Sequence, residues 1–219
     1  MIVRRHLLAG LAALMLCAPA HAAERTASVP LKKLFPYLEA YLSLPPAERS
    51  RFVMAYRLLA AGKPDPSLRV VLVAGGQRTP LPLDGFGRIA RLPTVAQLRA
   101  PDAKAEVTGP QERKFNLSLD IEPAMAPAAE MDAHALALAS QQATVGARKA
   151  AGVLGFAAPK LDRVVFEGAA GGEAVNGQGK ATALPVDKGN PVFDPAKLPD
   201  ARTIRFSRGP RRLLLAKAG

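Results

Sequence analysis

The chain has 219 residues, with 30 Lys and Arg against 18 Asp and Glu for a formal net charge of +12, and 49% of its residues are hydrophobic. That is enough apolar material for one large or two small domains with true cores, and it excludes a wholly disordered, collagen-like or disulfide-stapled chain. A single Cys, three His and no Trp leave little for thiol, metal or indole-stacking chemistry to use.

The first 22 residues read as an export signal. Arg4 and Arg5 give a positive start, Leu7 to Pro19 a short apolar run, and Ala20-His21-Ala22 an A-x-A cleavage pattern. The expectation is a periplasmic or secreted protein cleaved after Ala22. Leu16 ahead of Cys17 does not suit lipoprotein processing, and Arg4-Arg5 lacks the rest of a twin-arginine pattern. No later stretch reaches the roughly 18 consecutive apolar residues that a span requires, so no transmembrane segment is expected in the mature protein. Cleavage would remove the only cysteine and leave 28 basic residues against 18 acidic ones. Disulfides, thiolate catalysis and Cys-ligated zinc are then excluded. His134 remains alone, without a partner at ligand spacing, and no metal or cofactor is expected.

In chain order, Leu34, Leu38, Tyr41 and Leu42 recur at helical spacing and predict one helix over Leu31 to Leu44, with Pro36 placed in its first turn. Pro45-Pro46 ends it. Phe52, Met54, Tyr56 and Leu58 then alternate with Val53, Ala55 and Arg57 as in a half-buried strand, and Arg69 to Val73 is a β-branched run. Asp84-Gly85-Phe86-Gly87 is turn material ahead of a short strand, Arg88 to Leu92, that Pro93 stops. The clearest strand puts Phe115, Leu117, Leu119 and Ile121 on one face and Asn116, Ser118 and Asp120 on a wet one. Pro123 to Pro127 suits a linker. Ala128 to Ala151, acidic at its start and closed by Arg148, Lys149 and Gly152, predicts the longest helix. Strands return at Arg163 to Phe166, Lys180 to Leu184, Thr203 to Phe206 and Arg211 to Leu215.

The chain also repeats itself. Arg69-Val70-Val71 lies 94 residues before Arg163-Val164-Val165, the pattern G-x-G-[RK]-x-x-x-L-P starts at Gly85, Gly87 and again at Gly177, Gly179, and Gly109-Pro110 precedes a strand as Gly209-Pro210 does. Kept order with drifting offset is the mark of a tandem duplication. The expected organisation is mainly β with a few helices (α+β): a signal peptide at 1–22, a helix plus a first antiparallel β-sandwich-like unit at 23–123, a linker at 124–131, and a helix plus a second such unit at 132–219. Gly85, Gly87, Gly177 and Gly179 are read as turn residues. A phosphate-binding glycine loop would have to open a helix, and these open strands.

No catalytic constellation emerges. Asp120 and Glu122 lie two apart on a strand and so share a solvated face, and no G-x-S-x-G or S-x-x-K motif is present. Tyr37, Tyr41 and Tyr56 fall near expected core positions, which disfavours sugar stacking. The strongest candidate is basic: after Asp200 no acidic residue occurs, and Arg205, Arg208, Arg211 and Arg212 gather around a hairpin expected at Ser207-Arg208-Gly209-Pro210. They would contact an anionic surface, an envelope protein or anionic lipid or lipopolysaccharide, unless they only guard an edge strand. Export and the lack of an aromatic platform argue against nucleic acid. The chain resembles the small exported β-rich proteins of Gram-negative bacteria, a likeness that carries over no site residues. The reading is a non-enzymatic binding or structural module of the periplasm, with an enzyme or enzyme accessory subunit as the alternative.

Overall fold

The computed structural model describes residues 24–111, 114–152 and 159–217; the expected export signal lies outside the described residues. The fold is α+β, with antiparallel strands dominant and, among the described residues, four helices of which only the last exceeds six residues.

The first half opens on strand β1 (Glu24–Pro30), then α1 (Leu31–Leu34) and α2 (Leu38–Ser43). The single helix expected there is two, because Pro36 has no N–H to donate and Tyr37 sits at φ 63 in the left-handed region, so the chain restarts in a new direction. Leu31, Leu34, Leu38 and Tyr41 are still buried, as their spacing required. There follow β2 (Phe52–Ala60), β3 (Arg69–Ala74), β4 (Gln77–Leu81), α3 (Val95–Arg99), β5 (Lys104–Pro110) and β6 (Phe115–Pro123). α3 is started by a capping box, in which the Gln97 N–H donates to Thr94 Oγ1 at 3.2 Å and the Thr94 N–H to Gln97 Oε1 at 2.9 Å. Arg88 to Leu92 is not a regular strand: Gly87 and Ile89 exchange backbone bonds with Leu58 and Tyr56 on β2, and the segment then leaves.

The second half runs β7 (Glu130–Asp132), α4 (Ala133–Ala150), β8 (Arg163–Glu167), β9 (Ala170–Asn176), β10 (Ala181–Ala183), β11 (Val186–Asp187), β12 (Asn190–Phe193), β13 (Ala201–Arg208) and β14 (Arg212–Ala216). α4 begins five residues later than its composition suggested, because Asp132 caps it by accepting the Ala135 N–H at 2.8 Å and the preceding residues pair as β7 with β13. Each half therefore starts with a strand and not with a helix.

Sheet order relates the halves. In the first, β1-β5-β3-β4 form one sheet and β2-β6 another; in the second, β7-β13-β9-β10 form one sheet, and β8 pairs with β14 and carries β12 and β11 on its other side. Both Gly-Pro dipeptides stand where the chain leaves a four-stranded sheet to enter the other one, at β5 to β6 and at β13 to β14. The repeated valine run does not match in this way, since β3 belongs to a four-stranded order whose counterpart is β9, whereas Arg163 to Val165 lie on β8. Nor do the glycine motifs occupy matching places. Asp84–Arg88 leads back onto β2, while Asn176–Lys180 joins β9 to β10.

One core runs through both halves, with Tyr56, Leu58 and Leu72 from the first and Leu136, Phe166 and Ile204 from the second almost fully buried. α4 straps them together: Gln142 accepts the Arg51 N–H at 2.7 Å and donates to the Ala47 carbonyl at 2.8 Å. β14 lies against β6, so matched strands of the two halves face each other at the seam.

Candidate functional site

β6 decides the chemistry at the seam. Alternation sends Ser118, Asp120 and Glu122 to one face, and in register with them β2 offers Arg57, Ala55 and Val53. Ala55 opposite Asp120 leaves room above the carboxylate. Into that room β14 sends Arg212, which is only 8% exposed. Its Nη2 donates to Asp120 Oδ2 and to Glu122 Oε1, each at 2.8 Å, and its Nη1 to Glu167 Oε2 at 3.0 Å. Arg57 Nη1 reaches Asp120 Oδ2 at 3.3 Å and Arg88 Nη1 reaches Glu122 Oε2 at 2.9 Å. Three guanidiniums thus meet three carboxylates. Burial opposes the charge on Arg212, but the hydrogen bonds it donates to Glu122 and Asp120 outweigh it and hold its pKa above the ordinary arginine value. The face expected to be wet is sealed by arginine.

Beside this hub a cleft of about 370 Å3 opens between the halves. Val53, Phe86, Met125, Pro127 and Leu213 make an apolar wall, and Arg88, Arg211 and Arg212 with Asp84 and Glu122 the polar one. Phe86 is 38% exposed, held out on the turn whose carbonyl at Phe86 accepts Arg57 Nε at 3.0 Å.

The four arginines expected to act together are divided. β13 and β14 are not a hairpin; they belong to different sheets, and Gly209-Pro210-Arg211 carries the chain across. Arg212 consequently points inward to the hub and is not at an exposed tip. Arg205 is exposed but stands between Glu130 and Glu173 on its neighbouring strands, 3.9 Å from the Glu173 carboxylate. Arg208 and Arg211 are exposed and converge on Gly168, whose carbonyl accepts Arg208 Nε at 3.3 Å. Gly168 stands at φ +77, and a Cβ there would come within 2.7 Å of Arg211 Nε. Among the described residues no carboxylate lies within ion-pair distance of either.

The turn glycines are placed as read. Asp84 Oδ1 accepts the Phe86 and Arg88 N–H groups at 2.8 and 2.9 Å, and Asn176 Oδ1 accepts those of Gln178 and Lys180 at 3.0 and 2.9 Å. Gly87 and Gly179 take the left-handed position in each, at φ +74 and +79, while Gly85 and Gly177 do not need it. His134 is exposed at the start of α4. Tyr41 and Tyr56 are buried as expected, but Tyr37 is 66% exposed, because its left-handed backbone turns the ring outward.

Arg57, Arg88, Glu167 and Phe86 were not singled out by the sequence. Arg57 carried the only available signal, as the one charge in an otherwise apolar strand. No three His, Cys, Asp or Glu side chains among the described residues converge so as to hold a metal ion, and no helix among them is long and apolar enough to cross a membrane. No protein family, curated protein or solved structure matches the chain.

Proposed function

We propose that this is an exported, periplasmic binding module without catalytic activity of its own, which engages an anionic envelope component through Arg208 and Arg211 beside the seam cleft. The observation that carries the reading is the exposure of both guanidiniums with no carboxylate paired to them among the described residues, Arg211 lining the cleft itself, beside a hub whose charges are mutually satisfied. Exposed cations that no carboxylate among the described residues neutralises attract an anion at little desolvation cost. Asp120 and Glu122, the carboxylates an acid/base enzyme would need, each already hold two arginines, which supports binding over catalysis. The matching strand orders of the halves support descent from one duplicated unit, with the cleft formed where the copies meet.

The test is flotation of protein beginning at Ala23 with phosphatidylglycerol or lipopolysaccharide vesicles, against phosphatidylcholine. Binding should be confined to the anionic vesicles and weaken as salt rises. The double variant Arg208→Ser, Arg211→Ser should lose about thirtyfold in affinity, because each cation near an anionic surface is worth about 1 kcal/mol. Undiminished binding by the double variant would remove these residues from the site, and wild type that ignores anionic vesicles at low salt would end the proposal. N-terminal sequencing of periplasmic material should give Ala23 as the first residue.

A further inference from the structure

A second region, on the opposite face of β6, has no part in that reading. Phe35 and Leu38 are buried on either side of Pro36-Tyr37, and the Tyr56 hydroxyl pins the loop by donating to the Pro36 carbonyl at 2.5 Å. Tyr37 at φ 63 is left with its ring in solvent. Turns that need a left-handed residue ordinarily take Gly or Asn, and a tyrosine there costs about 1 kcal/mol. The strain goes to displaying an aromatic ring at a fixed place.

Tyr37 lines two hollows. One is a groove of about 390 Å3 between the β2–β6 pair and α4, lined by Phe52, Met54, Leu119, Ile121, Ala147 and Ala150, with no charged side chain among the described residues that line it. Leu119 and Ile121 belong to the apolar face of β6 that stays half covered while its polar face is sealed. The other hollow, about 370 Å3, sets Lys32, Glu39 and Ser43 around a floor of Phe35 and Leu98. Glu39 accepts from Lys32 at 2.9 Å and from Arg99 at 2.7 Å, so two cations share one carboxylate. Arg99 and then Lys32 hold the Glu39 pKa below the usual carboxylate value, which keeps it ionised and the cluster at a net +1. Both cationic side chains are 62% exposed and free to turn to another anion.

We propose that the Tyr37 groove binds a long-chain carboxylate, its acyl chain lying against Leu119 and Ile121 and its head group passing under the tyrosine to Lys32 and Arg99. The apolar groove accounts for the chain, the net positive charge of the neighbouring hollow for a singly charged head, and Tyr37, which lines both hollows, for one ligand occupying the two. A chain-like ligand buries methylenes one by one, each worth about 0.8 kcal/mol, and the charged hollow fixes its direction.

The experiment is titration of the protein from Ala23 with cis-parinaric acid, followed by its fluorescence, and displacement by saturated carboxylates of increasing length. Affinity should rise about fourfold per added methylene and then level off as the groove fills. Tyr37→Gly, which suits the backbone and leaves the fold intact, should weaken binding about tenfold. Ala147→Phe should block the groove. Lys32→Ala with Arg99→Ala should weaken carboxylates and leave the uncharged alcohol of the same length unaffected. The Arg208, Arg211 double variant should bind parinaric acid as the wild type does, which separates this site from the one proposed above. No saturable binding by the wild type, or affinity unchanged in both Tyr37→Gly and Ala147→Phe, would overturn the proposal; so would binding that responds only to the Arg208, Arg211 change.

Discussion

The turns Asp84–Arg88 and Asn176–Lys180 are built from the same hydrogen bonds, yet one is packed and the other is free. In the first, a Cβ on Gly87 would come within 2.6 Å of the Leu58 carbonyl, because the turn folds back on β2; around Gly179 nothing lies within 4 Å. The passages β5 to β6 and β13 to β14 show the converse. They share little beyond Gly-Pro, but hold the same place in the strand order of their halves. Local chemistry repeats wherever a sharp turn is needed, whereas strand order repeats only when the halves are laid out alike.

If the halves correspond through strand order, the most sensitive point is where matched strands β6 and β14 meet. Arg212→Ala should cost about 3 kcal/mol in guanidinium unfolding at neutral pH, since it removes the most buried cation of the hub and leaves Asp120 to Arg57 and Glu122 to Arg88 alone. A loss below about 1 kcal/mol would show that the seam does not join the halves. Gly87→Ala should cost about 3 kcal/mol and Gly179→Ala about 1, the first meeting backbone as well as a left-handed φ and the second only the φ. Equal losses would erase the distinction between the turns.

The helices differ too: α4 is continuous, while α1 and α2 are broken at Pro36, where Tyr56 holds the break. Tyr56→Phe should cost about 1 kcal/mol at pH 7 for the lost hydrogen bond. Burial, with Tyr41 adding to it, raises the Tyr56 pKa above the ordinary value of about 10. The folded protein therefore keeps a proton that the unfolded chain releases, and this contribution is full below pH 10 and is lost as pH rises beyond it. The gap between wild type and Tyr56→Phe should narrow in unfolding curves taken above about pH 10, and a widening gap would refute the assignment. The smallest effect is expected from Arg205→Ala, about 0.5 kcal/mol or less, because its ion pair is long and exposed.

Much of this was legible in the sequence where the signal is local. Phe115 to Ile121 announced β6 by strict alternation, and Asp84 and Asn176 announced their turns. β1 gave no signal because an edge strand with no fully buried residue needs no apolar period. Of the site, the sequence found Asp120, Glu122 and Arg212 but assigned them to solvent, whereas Arg211, assigned there too, is exposed. Alternation tells which side chains share a face; it does not tell what covers that face, and here the cover comes from Arg212, 90 residues beyond Glu122. Tyr37 was misplaced for a related reason, since helical spacing carries no information about a proline that resets the register.

β14 is the last described strand, and its consequence is one of timing. As a chain grows from its N-terminus, β2 and β6 are made long before Arg212 is, and until then Asp120 and Glu122 lack the guanidinium that covers them. Closure that waits on so distant a segment is slow. The half made first therefore cannot set into its final form ahead of the half that completes it, and the last ion pairs of the hub form only once β14 has been made.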